Sequence, residues 1–192
     1  DYGYGLAIQP DGKLVLAGHC FATVANFCAM RLNTNGSRDE NFGSMGRVLT
    51  PFDTNEPSAR AVALQSDGKL VLAGGCSPGV FCAIRYNGNG TVDTNFGASG
   101  TVITPVGSSY AKANALIVQP DGKIVLAGSC GNGTDNDNDF CAIRYRIDGS
   151  LDNSFGQGGK IVVPVGLKYD AANAVALQPD GKLVLGGACT IV

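Results

Sequence analysis

Apolar residues along this chain fall in short dense runs, separated by brief polar turns. Ala61-Val-Ala-Leu-Gln65 is followed by Ser66-Asp-Gly-Lys69 and then by Leu70-Val-Leu-Ala-Gly74. Runs of this length bounded by Gly, Asp and Pro predict strands, and a turn whose Gly68 is free to take positive φ predicts a hairpin. Copies stand at Gly5–Gly18 (GLAIQ-PDGK-LVLAG), Ala115–Gly128 (ALIVQ-PDGK-IVLAG) and Ala174–Gly187 (AVALQ-PDGK-LVLGG). Pro10, Pro120 and Pro179 occupy a turn position that donates no ladder hydrogen bond. A third run, Phe81-Cys-Ala-Ile-Arg-Tyr86, leads into the turn Asn87-Gly-Asn-Gly90, and a fourth, Thr101-Val-Ile-Thr-Pro105, ends on proline. The fourth run also recurs, as Arg47–Pro51 and Lys160–Pro164.

Four strands in a repeat of roughly 55 residues match the size of a propeller blade. In LVLAG and AVALQ consecutive positions are apolar, so both faces of the sheet are predicted to be buried. A sheet stacked between two others needs this, whereas a half-exposed sandwich strand would alternate. The expected fold is all-β: a β-propeller-like array of four-stranded antiparallel blades, three complete repeats plus one terminal hairpin. The blades are assigned to residues 1–56, 57–109 and 110–170, with the first hairpin of an incomplete fourth repeat at 171–192. A closed propeller usually has four to eight blades. The incomplete repeat therefore points to a chain cut from a longer protein or, second, to an end completed by another subunit.

Spacing separates a rigid scaffold from a variable part. Each of Gln9, Gln65, Gln119 and Gln178 is followed by a cysteine 11 residues on, and each of Cys28, Cys82 and Cys141 by the next turn glutamine 37 residues on. All length variation lies between the paired cysteines Cys20/Cys28, Cys76/Cys82 and Cys130/Cys141, which enclose seven, five and ten residues. Cys189 is the first member of a fourth pair whose partner is absent. Recurring pairs in a β-repeat point to disulfides and an oxidising compartment. Zinc is the alternative, disfavoured because the spacings vary and His19 is the only histidine. Redox chemistry is disfavoured too, since no CxxC occurs.

The motifs QPDGK-(L/I)-V-L-A-G, the A-I-R-Y strand and N-G-(x)2-D-(x)2-F-G resemble the delta-60 repeat family, a set of secreted bacterial repeats read as β-propellers of uncharacterised function. The resemblance covers nearly the whole chain in register. It implies the propeller fold and supplies no activity. The cysteine pairs rest on this sequence alone.

Charge and composition exclude several function classes. A net charge of −2 and the absence of a basic stripe exclude a nucleic-acid binder. No apolar run reaches the length of a membrane-spanning helix, and no signal peptide precedes the repeats, as expected of a mature chain or a fragment. Arg31, Arg85 and Arg144 end the third strands, and Asp39, Asp93 and Asp152 each follow eight residues later. The fixed offset predicts one partly buried, bidentate structural ion pair per blade. Asp135, Asp137 and Asp139 stand at alternate positions with the hard oxygen donors Ca²⁺ takes. Phe140 replaces the glycine an EF-hand loop needs, so a solvated loop is the preferred reading and no cofactor is assigned. His19, beside Cys20, has no nearby serine or carboxylate in sequence and reads as a surface or packed residue.

No catalytic constellation stands out. The expected function is a non-catalytic, extracellular or cell-surface structural or binding module. It would present its cysteine-bounded loops, with Gly131, Asn132, Asn136 and Asn138 in the longest, to a protein or surface glycan. The alternative is a self-assembling fibre or surface-layer subunit in which copies pair through strand edges. An enzyme, such as a glycan hydrolase or lyase, ranks third. It requires non-repeating acids or histidine at a central channel, and the charged positions here mostly repeat.

Overall fold

The structure, a computed structural model, describes residues 1–52, 57–131, 138–166 and 168–191. Its strands form successive antiparallel sheets. The first contains β1 (Tyr2–Ile8), β2 (Leu14–Phe21), β3 (Ala25–Leu32) and β4 (Arg47–Pro51), paired in that order. The second contains β5 (Ser58–Leu64), β6 (Leu70–Ser77), β7 (Val80–Tyr86) and β8 (Thr101–Pro105). The third contains β9 (Ala111–Val118), β10 (Ile124–Gly131), β11 (Asn138–Tyr145) and β12 (Lys160–Val163). A two-stranded sheet of β13 (Ala171–Leu177) and β14 (Leu183–Ala188) follows. The described residues contain no helix.

The sheets stack blade on blade. β5 packs on β1 and β2, β9 on β5 and β6, and β13 on β9 and β10, so the first strands form one continuous inner row. The unbroken apolar runs follow from this. Leu70 and Leu72 join Val15, Ala17, Phe27 and Ala29 in the core between the first two blades. The alternate residues Val71 and Ala73 face the other way and join Ile124, Leu126 and Ile143. Each buried Val, Leu, Ile or Phe contributes about 1.5–3 kcal/mol, whereas a net hydrogen bond contributes about 1. Apolar packing therefore dominates each blade interface, and the polar contacts set its register.

Each blade's first strand starts earlier than the sequence pattern indicates: β5 begins at Ser58, not Ala61. The cause is a β-bulge. The β5–β6 register shifts between Ala59 and Ala61, and matching shifts occur at Gly3/Gly5 and Ala172/Ala174, with the same irregularity where β9 meets Ala127/Gly128. One extra residue breaks the apolar pattern there while pairing continues beyond it. The bulge explains the glycine that closes each LVLAG run. A Cβ on Gly18, Gly74, Gly128 or Gly187 would overlap the backbone oxygen of Tyr2, Ser58, Lys112 or Ala171 respectively. Only glycine lets the bulged strand come this close.

Candidate binding surface at the disulfide-framed end

The blades have two unlike ends. At the first lie the QPDGK turns and the arginine–aspartate pairs, and here every repeat does the same thing. Nε of Arg31, Arg85 and Arg144 donates to Oδ2 of Asp39, Asp93 and Asp152 at 2.7, 2.8 and 2.8 Å. The turn lysines Lys13, Lys69 and Lys123 approach the same oxygens at 2.9, 3.5 and 3.8 Å. Each aspartate's Oδ1 accepts a backbone N–H two residues on, from Asn41, Asn95 or Ser154. Each guanidinium also lies over the phenylalanine of the following Phe-Gly: Phe42, Phe96 or Phe155, at 4.6–4.7 Å.

These pairs are not the bidentate forks expected from spacing. The second arm of the guanidinium is used between blades: Nη1 of Arg31 donates to Gly88 O at 2.5 Å, and Nη1 of Arg85 donates to Ile147 O. A neighbouring turn carbonyl has replaced the second carboxylate oxygen. The Asp152 carboxyl is held at about 2, chiefly by the Ser154 hydroxyl, with burial opposing and Arg144 assisting. Asp39 is lowered first by Lys13. For Asp93 burial is the largest influence and raises it, but the Asn95 N–H and Arg85 together outweigh burial and leave it lowered. Interblade hydroxyl contacts add to the register: Tyr145 Oη donates to Thr104 Oγ1 at 2.6 Å, and Tyr86 meets Thr50 in the same way. Burial pushes both phenols up to about 12.

The opposite end carries the disulfides and the differences. Cys20–Cys28, Cys76–Cys82 and Cys130–Cys141 are bonded, with Cα separations of 5.8, 5.9 and 5.9 Å. Each links a second strand diagonally to the third, two residues out of direct register in the first and third blades, where Cys20 faces Asn26 and Cys130 faces Asp139. The Cys76–Cys82 and Cys130–Cys141 bridges are buried in the cores against the preceding blade. Cys189 is an exposed free cysteine.

In the third blade's variable stretch, Gly131 ends β10, and Asn138 and Asp139 are buried at the start of β11. Asn132, Asp135, Asn136 and Asp137 lie outside the described residues. Asp139 is thus a strand residue opposite Cys130, and its two proposed Ca²⁺ co-ligands are outside the described residues. Among the described residues no three His, Cys, Asp or Glu side chains cluster as a metal site would require. Asp170, which the sequence reading did not single out, stands eight residues before its turn glutamine as Asp1 does, while Pro57 and Ala111 fill that place in the other two repeats. The buried Asp170 carboxylate accepts the backbone N–H groups of Gly166, Val165 and Thr190 at 2.5, 2.9 and 3.3 Å, and the Gly166 bond leads in holding its pKa down.

The bulges supply residues the sequence reading passed over. The extra residue in the four first strands is Tyr4, Arg60, Asn114 and Asn173, so the position that the bulge turns out of the ladder changes chemistry from blade to blade, as does the position two residues before it, Tyr2, Ser58, Lys112 and Ala171. Neighbours in this row touch. The Arg60 guanidinium lies 5.0 Å over the Tyr4 ring, and Asn114 Nδ2 donates to Ala172 O at 3.0 Å. Beside it opens a groove of about 390 Å³ lined by Tyr2, Tyr4, His19, Phe21, Ser58 and Arg60, with Ala25 and Lys112 completing it. Tyr2 and Tyr4 stand nearly parallel, 6.3 Å apart and 21° from coplanar. His19 Nδ1 is 2.9 Å from Pro57 O, so Nδ1 carries a proton, and in the neutral ring Nε2 is the acceptor. The usable signal was the fifth residue before each turn glutamine, a polar or aromatic residue flanked on both sides by Gly or Ala in every copy.

A family model described as "Domain of unknown function (DUF5122) beta-propeller" matches residues 9–42, 65–96 and 119–155. These segments hold the turns, second and third strands and ion pairs, and stop short of the bulged strands. No curated protein matches the chain.

Proposed function

This chain belongs to the DUF5122 family of β-propeller domains of unknown function, and from that footing we propose that it is a non-catalytic extracellular binding module, of the delta-60 repeat kind. The observation that carries the reading is the division between the two ends. One end repeats its turns and ion pairs blade after blade. The other gathers the hairpins of unequal length, the disulfides that brace them and the changing bulge residues. A scaffold that keeps its geometry while varying one surface is suited to recognition. Three disulfides fit an oxidising environment. The partner in this reading is a surface glycan or a protein, and no cofactor is required.

The test is a variant with the stretch between Gly131 and Phe140 shortened, probed against a glycan array and surface proteins beside wild type. It is expected to keep its thermal transition and lose binding. Unchanged binding would remove that stretch from the binding surface. A turn variant at the opposite end, Asp180→Asn, is expected to keep both properties.

A second reading, assembly with copies of itself, has its own support. Leu6 and Ile8 are 57% and 66% exposed, while the corresponding Val62 and Leu64 pack into the core beside them. Leu32 also stands where Tyr86 and Tyr145 stand, and Val163 where Thr50 and Thr104 stand, so the outward faces of the first and third blades are apolar where inner interfaces are hydroxyl-paired. Sedimentation of wild type against Leu6→Lys/Ile8→Lys decides it: a concentration-independent monomer in both counts against assembly.

A further inference from the structure

We propose that the groove between Tyr2, Tyr4, Phe21, His19 and Arg60 binds a carboxylate-bearing pyranose, a uronic-acid unit of an acidic polysaccharide. The proposal rests on the binding-module reading and names its ligand.

The anion requirement comes from Arg60. The strand-ending arginines Arg31, Arg85 and Arg144 each hold an aspartate within 2.8 Å. Arg60 holds none: its contact is the Tyr4 ring, and its Nε is buried without a hydrogen-bond partner. A desolvated guanidinium donor is costly to leave unmade, and a carboxylate is the acceptor its geometry fits best. The groove lining includes Arg60 and Lys112 and no carboxylate. Asp1 lies nearby, but its Oδ1 accepts the Phe21 N–H at 2.9 Å. The attraction for an anion is therefore local, set against an overall charge of −2.

The rest of the lining selects a sugar over a simple anion. Tyr2, Tyr4 and Phe21 are 67%, 47% and 68% exposed and line the groove, so the aromatic surface not taken up by the Arg60–Tyr4 and Tyr2–Tyr4 contacts is available to the apolar C–H face of a pyranose. The Ser58 hydroxyl is buried and unpartnered in the same lining. With the His19 Nε2 acceptor, it supplies partners for ring hydroxyls, which both donate and accept. A volume of about 390 Å³ lies in the range of small-molecule sites. An acidic peptide would satisfy Arg60, and its backbone can pair with the Ser58 hydroxyl, but it brings no flat apolar C–H face to the aromatic rings.

The experiment is calorimetric titration of the intact chain with trigalacturonate, with neutral galactotriose, and with hexaglutamate as the peptide competitor. Thermal melts confirm that each variant is folded. Trigalacturonate is expected to bind, and galactotriose and hexaglutamate to bind at least about tenfold more weakly, as for loss of a charge-assisted hydrogen bond or of stacking. Arg60→Gln and Tyr4→Ala are each expected to weaken trigalacturonate about tenfold or more, and Lys182→Gln, at the opposite end, to leave it unchanged. Equal affinity for the neutral sugar, tighter binding of hexaglutamate, or indifference to Arg60→Gln in a folded variant overturns the proposal. No binding of trigalacturonate, alongside capture of another partner that the shortened loop abolishes, overturns the ligand while the binding module stands. If the shortened loop abolishes nothing either, both fall.

Discussion

Gly74 shows how much one missing side chain decides. Its alanine variant would drive a methyl into the Ser58 carbonyl, backbone against backbone with no flexible side chain to yield. Gly74→Ala is expected to cost about 1–3 kcal/mol, read from urea denaturation. Gly186→Ala, where a Cβ meets nothing within 4 Å, is expected to shift the midpoint little. Equal losses would remove the bulge as the reason for the glycine. Charge is tested in the same way. Arg85 and Asp93 are each 5% exposed and Arg85 is tied to the next blade, whereas Arg144 is 17% exposed and bonds Ser154 in its own blade instead. Arg85→Gln is therefore expected to destabilise by about 3 kcal/mol by stranding a buried carboxylate, and Arg144→Gln by clearly less. The lowered pKa values of Asp39, Asp93, Asp152 and Asp170 fix the acid response. The unfolded chain takes up protons before the folded one does, so stability is flat above the ordinary carboxylate range. It falls between about pH 4 and pH 2, the latter being where Asp152 titrates. Melting temperatures at pH 6, 4, 3 and 2 should trace that fall; a loss confined to pH above 5 would rule these groups out.

The second and third strands were legible because nothing interrupts their pattern. Leu70-Val-Leu-Ala reads as buried on both sides, and its residues divide between two cores. The first strand was only half legible. An extra residue such as Arg60 looks like the end of a strand to a pattern of period two, although pairing runs on to Ser58. The aspartate partner of each arginine could be inferred from a fixed offset of eight, but the guanidinium's second bond could not. It goes to a carbonyl 57 residues away for Arg31 and 62 for Arg85, and no local spacing encodes that. The groove was hidden for the same reason, because it takes residues from β1, β2, β3, β5 and β9. The disulfides brace the hairpins on which this end depends. Replacing Cys76 and Cys82 together by alanine is expected to cost about 2–3 kcal/mol relative to the oxidised wild type by chain-entropy reasoning, with the reduced wild type as the control that separates the bond from the packing of the sulfurs.

A stack in which each blade touches only its neighbours has stability close to a sum of blade and interface terms. Tyr86→Phe and Tyr145→Phe each remove one hydroxyl contact between adjacent blades. Each is expected to cost about 1 kcal/mol, and the double variant to cost nearly their sum, because the two interfaces share no contact. Strong non-additivity in a double-mutant cycle would mean that the two contacts are coupled through the second blade. The bulge and its glycine have a consequence for how such a chain diversifies. A duplicated blade inherits both together, and so arrives already folded with one side chain released from the ladder. That residue is free to drift, and recognition can be enlarged by copying a repeat, without inventing a new loop.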